Sequence, residues 1–333
     1  MSKIRRIGVV GAGAWGTTLG LIALRARTAA LVWSREPEVA TEINSHHTNP
    51  FLPGVDLDPK LSATASLADL SEVDALMLVV PAQHLRSVCT ELARHVANVP
   101  AVVCSKGMEA ETGALLSEVV TQTLPRAPLA VLSGPTFAAD VARGQPTAIS
   151  LACHDDALSS ALTAALGTPA FRPYASNDPV GAQVGGAVKN VLAIACGIVT
   201  GRKLGESARA AIMTRGMAEM LRLGQALGGE AETLMGLSGL GDLVLTCTSS
   251  QSRNMSLGVA LGEGRALADL LANRNSVAEG VATAAAIAIL SHRLGVEMPI
   301  SAAVNAVVNH SAAIDKSIQS LLGRPFRAES DPD

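Results

Sequence analysis

Short, unbroken apolar runs alternate with amphipathic stretches through the first half of the chain. Six runs read as strands: Ile4–Val10, Ala29–Trp33, Ala75–Val80, Ala101–Cys104, Leu129–Ser133 and Thr147–Leu151. A strand covered on both faces is apolar throughout rather than alternating, so these runs point to a buried parallel sheet. Between them Thr17–Arg25, Leu85–Val96 and Gly113–Thr123 carry helical spacing. That rhythm predicts an α/β fold with a doubly wound parallel sheet. The Pro-, Asn- and His-rich segment His46–Lys60 reads as an extended surface loop.

From about Asp178 the strand signal stops. Ala-, Leu- and Met-rich patterns follow at Val184–Thr200, Ser207–Leu227, Ala266–Asn273, Glu279–Leu294 and Ala302–Leu322. The expected organisation is a Rossmann-type α/β domain over residues 1–177 and a helical domain over 178–324. The polar, Pro-bearing residues 325–333 read as a frayed tail. A chain of 333 residues supports two such cores.

Composition narrows the class. The chain is 48% hydrophobic and 17% charged with a net charge of −3, which argues against disorder and against a nucleic-acid partner. Cys89, Cys104, Cys153, Cys196 and Cys247 are dispersed and form no CxxC pair, so they read as reduced thiols rather than a disulfide frame or zinc site. No histidine or acidic spacing suggests a metal. The start leads straight into a strand, without signal-peptide features. Apolar stretches such as Val191–Thr200 and Val281–Leu290 fall short of a membrane span. The expectation is a cytoplasmic protein.

Chemistry first appears at Gly11-Ala12-Gly13-Ala14-Trp15-Gly16, between the first strand and the first helix. In a dinucleotide site the first glycine makes the turn, the second admits the pyrophosphate and the third lets helix and strand close. At the end of the second strand stand Trp33-Ser34-Arg35-Glu36. Arg35 suits either a 2′-phosphate, and so NADPH, or plain solvent, Glu36 suits ribose hydroxyls and so NADH, and Ser34 suits a cap for a helix beginning at Arg35.

Lys189, in Gly185-Gly186-Ala187-Val188-Lys189-Asn190, is the leading catalytic candidate. Ketone reduction needs a proton donor beside the carbonyl oxygen, and a lysine with its pKa lowered by burial and nearby cations serves both directions. Lys106 follows an apolar strand and reads either as a cation near the substrate oxygen or as a loop lysine. Asp242 reads either as the partner of a lysine or as a helix cap. Gly134 and Thr136 lie in Ser133-Gly134-Pro135-Thr136, at the sheet edge where ligands bind. Ser252-Arg253-Asn254 reads either as an anion site, a planar cation with neutral donors, or as a polar helix start after the turn at Ser249-Ser250-Gln251. Gly201-Arg202-Lys203-Leu204-Gly205-Glu206 reads as a solvated loop or as cations at the cleft mouth.

Taken together, GAGAWGTTL, LVVPAQ, SKGMEAETG, SGPTFAADVARGQPTAISLA, VGGAVKNVLAIACG and GLSGLGDLVLTCTSSQSRN resemble the bacterial-type NAD(P)-dependent glycerol-3-phosphate dehydrogenases. The resemblance covers nearly the whole chain. It implies reversible reduction of dihydroxyacetone phosphate to sn-glycerol 3-phosphate with NADPH or NADH, feeding glycerophospholipid synthesis. It implies Lys189 as proton acceptor in oxidation, with Lys106, Gly134, Thr136, Asp242, Ser252, Arg253 and Asn254 lining the substrate. It places Ala14, Trp15, Arg35, Lys106, Ala138, Arg253, Val277 and Glu279 at the cofactor, beside Gly11, Gly13 and Gly16. A homodimer through the helical half is compatible with these features, and no motif specifies it.

Overall fold

The computed structural model describes residues 3–272 and 279–325. Eight strands form one sheet: β1 (Arg6–Val10), β2 (Ala29–Trp33), β3 (Ser62–Thr64), β4 (Ala75–Leu78), β5 (Ala101–Val103), β6 (Leu129–Ser133), β7 (Thr147–Ala152) and β8 (Phe171–Ser176). Their spatial order is 3-2-1-4-5-6-7-8. Pairing is parallel except at β6–β7, so β7 and β8 run together against the other six. The all-parallel expectation is corrected there. The connection from β6 holds only a five-residue helix, too short for the usual crossover, whereas an eleven-residue helix links β7 to β8 and keeps them parallel.

Helices α1 (Ala14–Arg25), α2 (Pro37–His46), α3 (Leu85–Leu92), α4 (Leu116–Thr123), α5 (Ala138–Ala142) and α6 (Asp156–Leu166) cover the sheet. Alternate strand residues feed two cores. Ile7, Val9, Val32, Met77 and Val102 pack with α1 and α6, while Val10, Leu31, Leu76, Leu78 and Val103 pack with α3 and α4. Both faces are therefore dry, which is why these strands are apolar at every position.

The segment after α2 is not a surface strap. Leu52, Val55, Leu57 and Leu61 are buried, and Asn49 donates to the Ala12 carbonyl at 2.9 Å and to Thr17 Oγ1 at 2.7 Å. This loop braces the glycine-rich turn.

The second half is helical: α7 (Pro179–Gly201), α8 (Glu206–Ala226), α9 (Ala231–Leu234), α10 (Asp242–Thr248), α11 (Arg253–Gly262), α12 (Leu267–Ala272), α13 (Glu279–Leu294), α14 (Pro299–His310) and α15 (Ile314–Leu322). The single helix expected over Ala302–Leu322 is two, because Ser311 takes a left-handed conformation (φ 55°) and ends α14. Helix α7 runs for 23 residues, longer than its apolar stretch suggested. By length and composition it could cross a membrane, yet 89% of its apolar window is buried among the other helices. It is the axle of this half. Asp178 caps it by accepting from Gly181 N at 2.7 Å, and its other oxygen accepts from Glu230 N at 2.8 Å. Against α11 its backbone approaches closely, since a Cβ on Gly197 would lie 2.3 Å from the Met255 carbonyl oxygen.

Candidate active site

Three charged side chains meet where α7 and α10 face the sheet edge. Asp242, 1% exposed, lies between two lysines. Lys189 Nζ donates to Oδ1 at 2.9 Å and Lys106 Nζ to Oδ2 at 2.7 Å. Lys189 also donates to Thr246 Oγ1 at 2.8 Å, and Lys106 to the Gly134 carbonyl at 2.7 Å. Each ammonium has three N–H groups, so each keeps one for a ligand. Asp242 is not a cap: it is the first residue of α10, and its carboxylate is committed to the lysines. Thr246, one helical turn on, was not singled out from the sequence, although its i+4 spacing from Asp242 was a usable signal.

The lysine pair is unbalanced. Two ammonium groups face one carboxylate, leaving one net positive charge in a largely dry place. Burial is the largest influence on Lys189 and lowers its pKa; Asp242 opposes that and Lys106 adds to it, leaving a value of about 8. Room for the lysines comes from Gly186, where a Cβ would sit 2.7 Å from Ser133 Oγ and 3.5 Å from Lys106 Cγ. Ser133 Oγ is itself buried and without a hydrogen-bond partner among the described residues.

Helix α11 begins beside this centre. Ser252 caps it, its Oγ accepting from Met255 N at 3.2 Å, and Arg253 follows, exposed, in the first turn. Asn254 donates to Asn190 Oδ1 at 2.9 Å and accepts from Gly280 N at 3.1 Å. It thereby joins the residue after Lys189 to the start of α13. Thr136 adjoins through its bond to the Gly134 carbonyl at 3.3 Å.

The glycine-rich turn fits a dinucleotide. Gly11 (φ 120°) lies against Val79, a Cβ on Gly16 would fall 1.8 Å from the Gly11 carbonyl oxygen, and a Cβ on Gly13 would meet nothing within 4 Å. The N-terminus of α1 has no side-chain cap, which leaves its N–H groups for phosphate oxygens. Trp15 Nε1, on the same turn, is buried without a hydrogen-bond partner among the described residues. Ala138 joins this region, its carbonyl accepting from Thr18 Oγ1 at 3.1 Å.

Glu279 sits between the two regions. Its Oε1 accepts from Ala82 N at 3.4 Å, and its Oε2 has no hydrogen-bond partner among the described residues. Burial is the main cause that lifts its pKa to about 7, against the Ala82 N–H and the Arg253 cation. Arg35 stands apart from the lysine centre, exposed and paired with Glu36 Oε1 at 2.6 Å. Ser34 caps no helix, since α2 starts at Pro37 after Glu36 and Ser34 Oγ has no hydrogen-bond partner among the described residues. Val277 lies outside the described residues. The 201–206 loop closes the far end of α7, twelve residues past Lys189 or about 18 Å along a helix, and so lies away from this centre.

A dinucleotide-type sheet, with a buried lysine–aspartate–lysine set at its carboxyl edge, defines a nicotinamide-dependent oxidoreductase. The chain belongs to the NAD-dependent glycerol-3-phosphate dehydrogenase family. Residues 6–159 match the family's N-terminal region and residues 178–319 its C-terminal region. It is 58% identical over 330 residues to the glycerol-3-phosphate dehydrogenase [NAD(P)+] of Rhodospirillum rubrum, covering 98% of this chain and 94% of that one. The protein of that name from Parvibaculum lavamentivorans is 55% identical over 328 residues, 98% of each chain. The crystal structure of glycerol-3-phosphate dehydrogenase from Coxiella burnetii superposes with a TM-score of 0.92 at 38% identity, covering 96% of this chain and 99% of that one.

Proposed function

We propose that this protein reduces dihydroxyacetone phosphate to sn-glycerol 3-phosphate, reversibly, with NADPH or NADH, and that Lys189 carries the proton. The observation that carries this reading is the buried set Lys106–Asp242–Lys189. When bound, the reduced nicotinamide supplies the hydride to the ketone carbon. Lys189, held by Asp242 and Thr246, has its remaining N–H for the carbonyl oxygen and gives up a proton as that oxygen gains charge. A pKa of about 8 suits both giving the proton and, in oxidation, taking it back. Lys106 adds positive potential beside the same oxygen, a term worth a few kcal/mol in a dry site.

Arg253 with Ser252 and Asn254, at the start of α11, takes the substrate phosphate, and Gly134 and Thr136 line the three-carbon chain. Gly11, Gly13, Ala14, Trp15, Gly16, Arg35, Ala138, Val277 and Glu279 receive the cofactor. In this reading residues 1–177 form the cofactor domain and 178–324 the catalytic domain, while residues 326–333 of the expected tail lie outside the described residues. The protein works in the cytoplasm, as a homodimer, and supplies the headgroup precursor of glycerophospholipids. Purified protein should oxidise NADPH or NADH on addition of dihydroxyacetone phosphate. Lys189→Ala should abolish most turnover while cofactor affinity holds, and Arg253→Ala should mainly raise the substrate KM. Near-normal turnover in the first variant sinks the proton assignment.

A further inference from the structure

The loop that carries Lys106 is held by a residue with no role so far. Gln83 lies in the short turn Ala82–His84 that follows β4. It is exposed as a residue, yet both ends of its amide are spent on the backbone of that loop. Its Nε2 donates to the Met108 carbonyl at 2.8 Å, and its Oε1 accepts from Ala110 N at 2.9 Å. One turn on, Arg86 grips Glu109 with two bonds of 2.7 and 2.8 Å. The same turn reaches the cofactor side through Ala82 N and Glu279.

The loop is held on its far side as well, by the buried Met108 side chain and its bridge to Leu115. Between Lys106 and the clamped Met108 stands Gly107, at φ 155°, a pivot no side chain stiffens. Lys106 must nevertheless bring Nζ to 2.7 Å from both Gly134 O and Asp242 Oδ2. An exposed glutamine that exchanges water for two backbone partners gives up rotamer freedom, so a purely local gain is small. Its effect lies in what it holds.

We propose that Gln83 is a positioning residue for the reaction: by clamping Met108 and Ala110 it fixes the loop backbone and hence the reach of Lys106 to Asp242. This rests on the reading of Lys106 given above. Gln83 touches neither the reacting atoms nor the charged centre, and acts through the loop.

The test is a double-mutant cycle of Gln83→Met and Lys106→Met in the intact protein. It reads kcat for dihydroxyacetone phosphate reduction, NADPH affinity, melting temperature and the pH profile of glycerol phosphate oxidation. Gln83→Met should lower kcat about tenfold, since small misplacements of catalytic groups have large effects. NADPH affinity and melting temperature should stay unchanged. The acid limb of oxidation should move to higher pH, because a displaced Lys106 no longer disfavours the charged form of Lys189. In the Lys106→Met background, Gln83→Met should add no further loss. Full turnover in Gln83→Met, losses that multiply in the double variant, or a parallel fall in stability and cofactor affinity overturns the proposal. Normal turnover in Lys106→Met alone overturns the reading of Lys106, and an inactive wild type overturns the reaction itself.

Discussion

Replacing Asp242 by asparagine removes one charge and turns one of the two acceptor oxygens into an NH2 donor that faces a lysine. Shape and an acceptor oxygen remain, but the carboxylate 2.9 Å from Lys189 Nζ and 2.7 Å from Lys106 Nζ is gone. Asp242 is the main influence holding the pKa of Lys189 up against burial, so the variant's pKa must fall below about 8. An ion pair about 4 Å apart at an effective dielectric of about 20 is worth about 4 kcal/mol, or about three pH units, and relaxation of Lys106 reduces that. A drop of about one to three units follows. Reduction uses protonated Lys189, so its rate is lost as pH rises through that pKa. The alkaline limb of kcat should therefore move down by the same amount. Lowering the pH should restore part of the lost turnover. The assay is the initial rate of NADPH oxidation with saturating dihydroxyacetone phosphate across pH. An alkaline limb that stays in place, or moves up, refutes the reasoning.

Four further outcomes are expected. Gly185→Ala puts a Cβ 2.5 Å from the Ser238 carbonyl oxygen, a backbone atom that cannot step aside, and should cost about 1–3 kcal/mol in denaturant unfolding. Asp178→Ala removes the cap of α7 and the tie to Glu230, and should lower stability by about 1–3 kcal/mol, read as a lower melting temperature. Glu279 has a folded pKa raised from 4.5 to about 7, so the protein loses stability as pH rises through that window. Glu279→Gln should lack that loss, with its melting-temperature advantage growing from acid to neutral pH. Arg35→Ala should weaken NADPH more than NADH in equilibrium titrations, and equal losses would remove the 2′-phosphate contact.

The sheet was largely legible because strands buried on both faces must be apolar throughout. What escaped notice lies at its edges. β3 is three small or polar residues, Ser62–Thr64, and β8 carries Arg172, Pro173 and an exposed Tyr174, a pattern that only an edge tolerates. The reversal at β6–β7 is a matter of how far a connection reaches, which periodicity does not encode. In the site, Lys189 announced itself as a charge in an apolar helix. Lys106 and Asp242 did not, since each alone reads as a loop lysine and a helix cap, and only their meeting across 136 residues separates the readings. Asn49 was hidden for the opposite reason: a polar residue in a Pro-rich loop gives no hint that it bonds to Ala12 and Thr17 in the core.

The contact between α7 and α11 has a consequence for what the enzyme accepts. Glycine backbones touch at Gly197 and Gly258, and the bond between Asn190 and Asn254 locks the same two helices farther along. Lys189 and Arg253 are the immediate neighbours of that bonded pair, so the backbone positions from which their side chains reach are held at one separation. In the proposed reading one holds the carbonyl end of the substrate and the other its phosphate. The helix pair is then a fixed gauge of chain length: a phosphorylated ketone one carbon longer cannot be met by stretching the site, and must buckle or bind out of register.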